Sequence, residues 1–417
     1  MATSMRLRNT FRVQFYLRND VILLPKLKLN VAKTSINPHC MYCVRHCTSY
    51  TIQKQLPNIT RRYMITTKNI RLNSTNLRKT YLREYSTNLN SVDETIKTLA
   101  KEDLSVLCSD IQEELNTSND ELRIISQYHF DGEGKAFRPM MVVLMSKACN
   151  THHNQDSRTL LHSQYRLAMI TEMIHTASLI HDDVIDASPT RRGKPTVYKV
   201  WGEKKAILAG DYVLSVASLL LARLRNENVI VVLSQVIEDL VRGEFMQLGS
   251  KEDENERFHH YLLKTYKKTA SLIANSCKAA AILGDSHPEV CDIAYNFGRN
   301  IGMAFQLIDD VLDFVSSSAT FGKPTTADLN LGLATAPVLF AADKFPELHE
   351  MIMRRFRQEG DVDKARLAVE ESDGIQQTRF LAERHCDEAI RQIKQLKASQ
   401  EQAALINLAG FVLSRIK

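Results

Sequence analysis

From about residue 91 to the end of the chain, apolar positions recur at steps of three and four. Leu104, Leu107, Ile111 and Leu115 form one such series, Leu233, Val236 and Leu240 another, and the stretches 262–283, 289–316 and 335–356 repeat the pattern. That spacing lines one face of a helix. Ser91-Val-Asp-Glu94 reads as a capping box ahead of the first series. Sustained period-two alternation of β-branched residues, the mark of a half-buried strand, is not found. Turn signals fall between the apolar runs at Asp131-Gly-Glu-Gly134, Pro189 to Pro195, Ser286-His-Pro288, Phe321-Gly-Lys-Pro324 and Glu359-Gly360. No repeat of solenoid period interrupts them. The pattern predicts an all-α chain in which roughly 330 residues form one large helical domain.

Charge divides the chain differently. Residues 1–90 hold 16 Lys/Arg against two acids, Asp20 and Glu84, whereas the remainder holds 38 basic and 46 acidic residues. The formal charge of +6 averages two unlike pieces, so it does not imply a nucleic-acid partner. An Arg-rich, acid-poor segment containing Ser, Thr and Asn reads as an organellar transit segment. Arg83-Glu84-Tyr85-Ser86 resembles a mitochondrial processing site cut after Tyr85. The expectation is therefore a transit segment over 1–85, a separate folded domain over 86–417, and location in the mitochondrial matrix. The longest uncharged runs, Val213 to Ala222 and Leu331 to Ala342, fall short of the ~20 residues of a membrane span, which leaves peripheral contact as the only expected association with a membrane. Cys40, Cys43 and Cys47, with His39 and His46, resemble a zinc site but lack a core pattern around them. Cys108, Cys149, Cys277, Cys291 and Cys386 read as reduced core residues.

Two acidic stretches carry the chemistry. Asp182-Asp183-Val-Ile-Asp186 and Asp309-Asp310-Val-Leu-Asp313 each end an apolar, helix-patterned run, and they lie 127 residues apart. Positions i and i+4 share a helical face, so each stretch presents a carboxylate pair to one side. Like charges at that spacing repel unless a cation bridges them. Oxygen-only ligands favour a hard ion, Mg²⁺ first. Two such pairs on facing helices suit two to three Mg²⁺ ions clamped onto a diphosphate, and predict two halves of a bundle converging on a central cavity. A di-iron bundle would need paired Glu-x-x-His motifs, and Glu172-Met-Ile-His175 has no mate.

Further motifs follow in order: Gly134-Lys-Ala-Phe-Arg-Pro139, His181 through Asp186, Arg191-Arg-Gly193, Gly243-Glu-Phe-Met-Gln247, Lys268-Thr269, Phe305 through Asp310, and Gly322-Lys323. With these, residues 91–417 resemble the trans-polyprenyl diphosphate synthases, the head-to-tail chain-elongating prenyltransferases, in a long-chain version serving the ubiquinone side chain. The resemblance implies an all-α isoprenoid-synthase bundle and condensation of isopentenyl diphosphate with an allylic diphosphate. It implies metal ligation by Asp182, Asp186 and Asp309, with Asp183, Asp310 and Asp313 in support. Arg191, Lys268 and Lys323 match contacts to the allylic diphosphate, and Gln306 matches a residue holding that substrate beside the second cluster. Lys135, Arg138, His175 and Arg192 match the isopentenyl diphosphate grip, where Arg offers a bidentate fork. Lys268, Thr269 and Gln306 offer backbone or side-chain oxygens to the carbocation. A homodimer, or a heteromer with a second prenyl synthase subunit, is the implied assembly. Ala187 departs from the family, many members of which carry a further acid there.

Ser178 and Ala177 lie four and five residues before Asp182, roughly 6–7.5 Å down the same helix at ~1.5 Å per residue. Small side chains there predict a deep cavity and a product well beyond farnesyl, and the resemblance implies nine or ten isoprene units. The alternatives are a shorter-chain, geranylgeranyl-type synthase and a non-catalytic subunit of a heteromer. The second predicts lost Asp or Arg residues, whereas both Asp triplets and all the cations are present.

Overall fold

The structure is a computed structural model and describes residues 99–132, 136–153, 159–191, 193–249, 254–315 and 326–415. The expected capping box at 91–94 and the three N-terminal cysteines lie outside the described residues. Helices α1 (Leu107–Glu114) and α2 (Asp120–Gln127) lead in. Asn119 caps α2 by accepting a 3.1 Å bond from the Leu122 amide. The central elements are α3 (Phe137–His152), α4 (His162–Ile185), α6 (Glu203–Arg223), α7 (Glu227–Leu248), α9 (Ser271–Leu283), α10 (Pro288–Val315) and α15 (Gly374–Ile393). Short α5 (Val197–Trp201) precedes α6, and α8 (Glu254–Thr265) precedes α9. Near the C-terminus lie α11 (Ala327–Asn330), α12 (Ala336–Ala342), α13 (Leu348–Met353), α14 (Asp361–Glu371) and α16 (Gln400–Ser414).

Helix α9 is the core of the bundle, buried at ten of its thirteen positions and packed against α3, α4, α7 and α10. Its small residues permit this. On α10, a Cβ added to Gly298 would stand 2.9 Å from the Ala274 Cα, so the two backbones touch only because that position is glycine. The largest apolar cluster joins α1, α3, α4, α7, α9, α10, α15 and α16, and a second holds Leu329, Val338, Leu348, Phe356 and Val369 under α11 to α14. A buried amide pair crosses the first cluster. Gln164 donates to Asn150 (3.0 Å) and to the Ala280 carbonyl (3.0 Å), satisfying polar groups that burial would otherwise penalise. Cys149, Cys277, Cys291 and Cys386 are free and buried as expected, while Cys108 is half-buried.

The structure departs from the apolar pattern in four places. The stretch 262–283 is not one helix, because a π-turn over Tyr266–Ala270 separates α8 from α9. The stretch 335–356 splits into α12 and α13 around Pro346, which cannot continue a helix. Pro189 to Pro195 contains a two-stranded antiparallel ribbon, β1 (Thr190–Arg191) on β2 (Lys194–Pro195), turned through Gly193 at φ +78°. Helix α6 exceeds the apolar length read from the sequence. Its best stretch has mean hydropathy 1.6, long and apolar enough to cross a membrane by length and composition, yet 44% of that stretch is buried inside this fold, and α6 packs along α4.

Candidate active site

Helix α4 delivers the first acidic triplet at its C-terminal end, and Asp186 is its last capping residue. The chain leaves through Ala187 in the left-handed conformation (φ 50°), which lets the Ser188 amide reach the Asp183 carbonyl at 2.9 Å. The three carboxylates then diverge. Asp183 is 1% exposed and points inward, held by the Arg191 guanidinium, whose Nε lies 2.9 Å and Nη2 2.7 Å from Asp183 Oδ1. The ribbon therefore folds back to place Arg191 under the helix end as the partner of Asp183. Asp182 and Asp186 remain half-buried at the surface of the site. Burial raises the Asp182 carboxyl to about 6, with Glu244 and Asp186 pushing the same way and Lys268 opposing. Asp186 is raised for the same first reason.

The second triplet sits in the last two turns of α10 and diverges in the same manner. Asp310 is buried, and accepts from the Tyr261 hydroxyl and from Gln306 Nε2 at 2.9 Å. Asp313 accepts from the Ala327 and Asp328 amides (3.0 and 3.2 Å) and so starts α11. Asp309 faces the site. Burial lifts its carboxyl to about 6, against the pull of Arg415 and Arg138. Arg415, just past α16, pairs with Asp309 at 2.8 Å and lies 4.2 Å over the Phe305 ring.

The cations fall into two groups. Lys268 pairs with Glu244 and donates to Gln247 at 3.1 Å, both from α7, and its charge acts on Asp182 and Asp186. Thr269 Oγ1 donates to Gln306 Oε1 at 2.8 Å, which joins the π-turn to the second triplet through Asp310. On the other side, Arg138 Nη1 and His175 Nε2 are 2.9 Å apart, so α3 and α4 bring together the two described members of the predicted isopentenyl grip. Phe137 stacks 5.2 Å from Phe305, and Arg138 is within electrostatic reach of Asp309. Ala177 is buried in the core, and Ser178 bonds the His175 carbonyl at 2.8 Å. Lys135, Arg192 and Lys323 lie outside the described residues.

Three residues were missing from the set read from the sequence. Glu244 stood inside a quoted motif without a role, and Tyr261 and Arg415 had no local signal at all. The donor set suits a hard divalent ion. It is all oxygen, and the outward carboxylates keep raised pKa values because desolvation and like charge act on them together. No three His, Cys, Asp or Glu side chains among the described residues gather closely enough to hold an ion alone. A cation here therefore completes its shell with water or substrate oxygens, the usual habit of Mg²⁺.

An all-α bundle carrying paired acidic triplets on two helix ends is the isoprenoid-synthase class of fold. The solved polyprenyl synthase from Caulobacter crescentus, complexed with calcium and isoprenyl diphosphate, superposes with a TM-score of 0.70 at 29% identity, covering 78% of this chain and 98% of that one. The polyprenyl synthetase family model matches residues 119–369, and the chain belongs to that family. It is 63% identical over 315 residues to human all trans-polyprenyl-diphosphate synthase PDSS1, covering 76% of each chain. It is 44% identical to decaprenyl-diphosphate synthase subunit 1 of Schizosaccharomyces pombe, over 82% of this chain and 95% of that one. Relatives from Yarrowia lipolytica and rice are named "Probable hexaprenyl pyrophosphate synthase, mitochondrial" and "Solanesyl-diphosphate synthase 1, mitochondrial".

Proposed function

We propose that this chain is the catalytic subunit of a mitochondrial all-trans polyprenyl diphosphate synthase that extends an allylic diphosphate with isopentenyl diphosphate to nine or ten units for the ubiquinone side chain. The observation that carries the reading is the shared construction of the two triplets. In each, an inner carboxylate is tied by protein donors while an outer one keeps a raised pKa, Asp309 being paired there with Arg415. That arrangement suits divalent cations held by Asp182, Asp186 and Asp309, two to three Mg²⁺ in number. Such ions, when bound, neutralise charge on a departing diphosphate.

The chain's own groups supply the rest. Lys268, with Arg191 and Lys323, grips the allylic diphosphate, and Arg138, His175, Lys135 and Arg192 hold isopentenyl diphosphate without metal. Thr269 and Gln306 present oxygens to the allylic cation. The isopentenyl double bond attacks that cation, and transfer of a proton to the departed diphosphate regenerates an allylic diphosphate one unit longer. No protein nucleophile is required.

Residues 1–85 are proposed as the transit segment and 86–417 as the mature enzyme. For assembly, we infer a homodimer or a heteromer with a second prenyl synthase subunit. Exposed apolar side chains on α6 (Leu208, Leu219) and α7 (Val231, Val241, Phe245, Leu248) support it, since such residues are usually covered in an assembly.

Incubating residues 86–417 with farnesyl diphosphate, labelled isopentenyl diphosphate and Mg²⁺, alone and with a candidate second subunit, tests the reading. Chromatography should show nine- or ten-unit products that vanish on chelation. Products of four units or fewer under both conditions would favour the shorter-chain alternative, and no elongation in either would remove the catalytic role.

A further inference from the structure

The π-turn over Tyr266–Ala270 carries Lys268 and Thr269, and the sequence Tyr-Lys-Lys-Thr-Ala contains nothing that forces a π-turn. Such a turn holds one residue more than an α-helical turn, so it changes the phase of the side chains on either side of it. Left alone, it should relax to α-helix.

Asp239 on α7 spans it. This carboxylate is 4% exposed. Its Oδ1 accepts from Lys267 Nζ at 2.6 Å, inside the turn, and its Oδ2 accepts from Ser271 Oγ at 2.6 Å, just past the turn. Asn275 Nδ2 donates to the Ser271 carbonyl and hydroxyl (2.9 and 3.1 Å) and fixes that hydroxyl's direction. Two glycines let the neighbouring helices close on the bulge. A Cβ on Gly243 would come within 2.8 Å of Lys268 Cγ, and one on Gly302 within 2.6 Å of the Ala270 Cα. Lys267 and Lys268 are thereby separated in duty. The first turns inward to Asp239, and the second reaches Glu244 and Gln247 beside Asp182 and Asp186.

We propose that Asp239 is a positioning residue for the allylic diphosphate. Acting through Lys267 and Ser271, it holds the π-turn in the phase that aims Lys268 and Thr269 into the site. The inference rests on the proposed function, because it assigns Lys268 to the allylic substrate. A buried ion pair is by itself weak support for stability, and hydrophobic replacement of both partners is often tolerated. That property separates aiming from packing.

The experiment compares wild type, Asp239→Asn, and the double variant Asp239→Leu with Lys267→Met. Thermal midpoints, both Michaelis constants, and calorimetric affinity for farnesyl thiodiphosphate, an allylic analogue slow to ionise, are measured. Asp239→Asn should lower the midpoint and raise the allylic Michaelis constant about tenfold or more, the scale of loss when a contact is misplaced. Its isopentenyl constant should change less than about twofold. The double variant should recover the midpoint while its allylic constant and analogue affinity stay impaired. If allylic binding returns with the midpoint, or both Michaelis constants move together, the cluster only packs and the proposal falls. Should the double variant stay unstable, the ratio of the two constants in Asp239→Asn, measured well below its midpoint, decides the question. Failure of the underlying functional reading would look different, as folded wild-type protein that binds no analogue.

Discussion

At the scale of single residues, Asp182 and Asp309 each bring a carboxylate out of bulk water beside other acids, and each holds its proton up to about 6. The sign of the consequence follows from linkage. A folded-state pKa above the free-acid value favours the folded protein at low pH, and that contribution is lost as pH rises through about 6. A divalent cation acts in the opposite sense, because it needs both groups deprotonated. Mg²⁺ should therefore bind more weakly at pH 5.5 than at 7.5, by roughly fifteenfold if two groups of pKa near 6 must release protons. Thermal melts with and without Mg²⁺ at the two pH values measure this, and an equal upshift at both would count against ligation by these residues. Asp182→Ala and Asp309→Ala should each abolish turnover, leave helical circular dichroism intact and remove the pH-dependent upshift. Near-normal activity in either variant would rule out the two-cluster mechanism. The acids and most of their cations were legible in the sequence because their types and spacing are local. The pairing of Arg191 with Asp183 was not, since it depends on the ribbon folding back beneath α4.

Elements show how local rules meet packing. Ala187 closes α4 at φ 50°, where an L-residue is strained by about 1–2 kcal/mol and glycine is not. Ala187→Gly should accordingly stabilise the protein by about 0.5–1 kcal/mol after glycine's greater entropy loss is subtracted. Urea denaturation reads this directly, and a lower midpoint would mean that the Ala187 methyl contributes packing of its own. Other helix starts follow residue type, though these three were not singled out in the sequence: Asn119, Asn226 and Ser399 each accept a bond from the amide three residues on. The π-turn escaped such reading. Its residues are ordinary helix formers, and only the approach of α7 and α10 through Gly243 and Gly302 makes room for it.

For the whole molecule, the proposed determinant of product length is the depth of the bundle beneath the first triplet. Ala177 lies 1% exposed inside the main apolar cluster, on the helix that ends in Asp182. Ala177→Phe should raise a floor there and shift products to about the farnesyl or geranylgeranyl range. A core insertion of this size also costs about 1–3 kcal/mol, so product length is to be scored on enzyme shown to be folded at the assay temperature. Full-length products from that variant would place the floor elsewhere, for instance on a partner subunit. Reporter fusions to residues 1–85 test the other large-scale division of the chain. Import into mitochondria with a mature end near Ser86 is expected, and a mature protein retaining Arg6 through Arg83 would contradict it.

The sequence by itself determined the helical class, the pairing of two acidic helix ends and the residues that belong to each motif. Those depend on period, residue type and short spacing, all local along the chain. Tertiary structure alone decided which carboxylate of each triplet turns inward, because Asp183 meets Arg191 only once the ribbon folds back beneath α4, and Asp310 meets Tyr261 only once distant segments pack. It alone set Arg415 against Asp309 and Asp239 beneath Lys267. All but the Asp183–Arg191 pair join residues far apart in the chain, in a bundle where small residues and glycines let helices approach to backbone contact. A linear pattern records which residues can ionise, while burial among distant neighbours sets which of them remain available to a ligand.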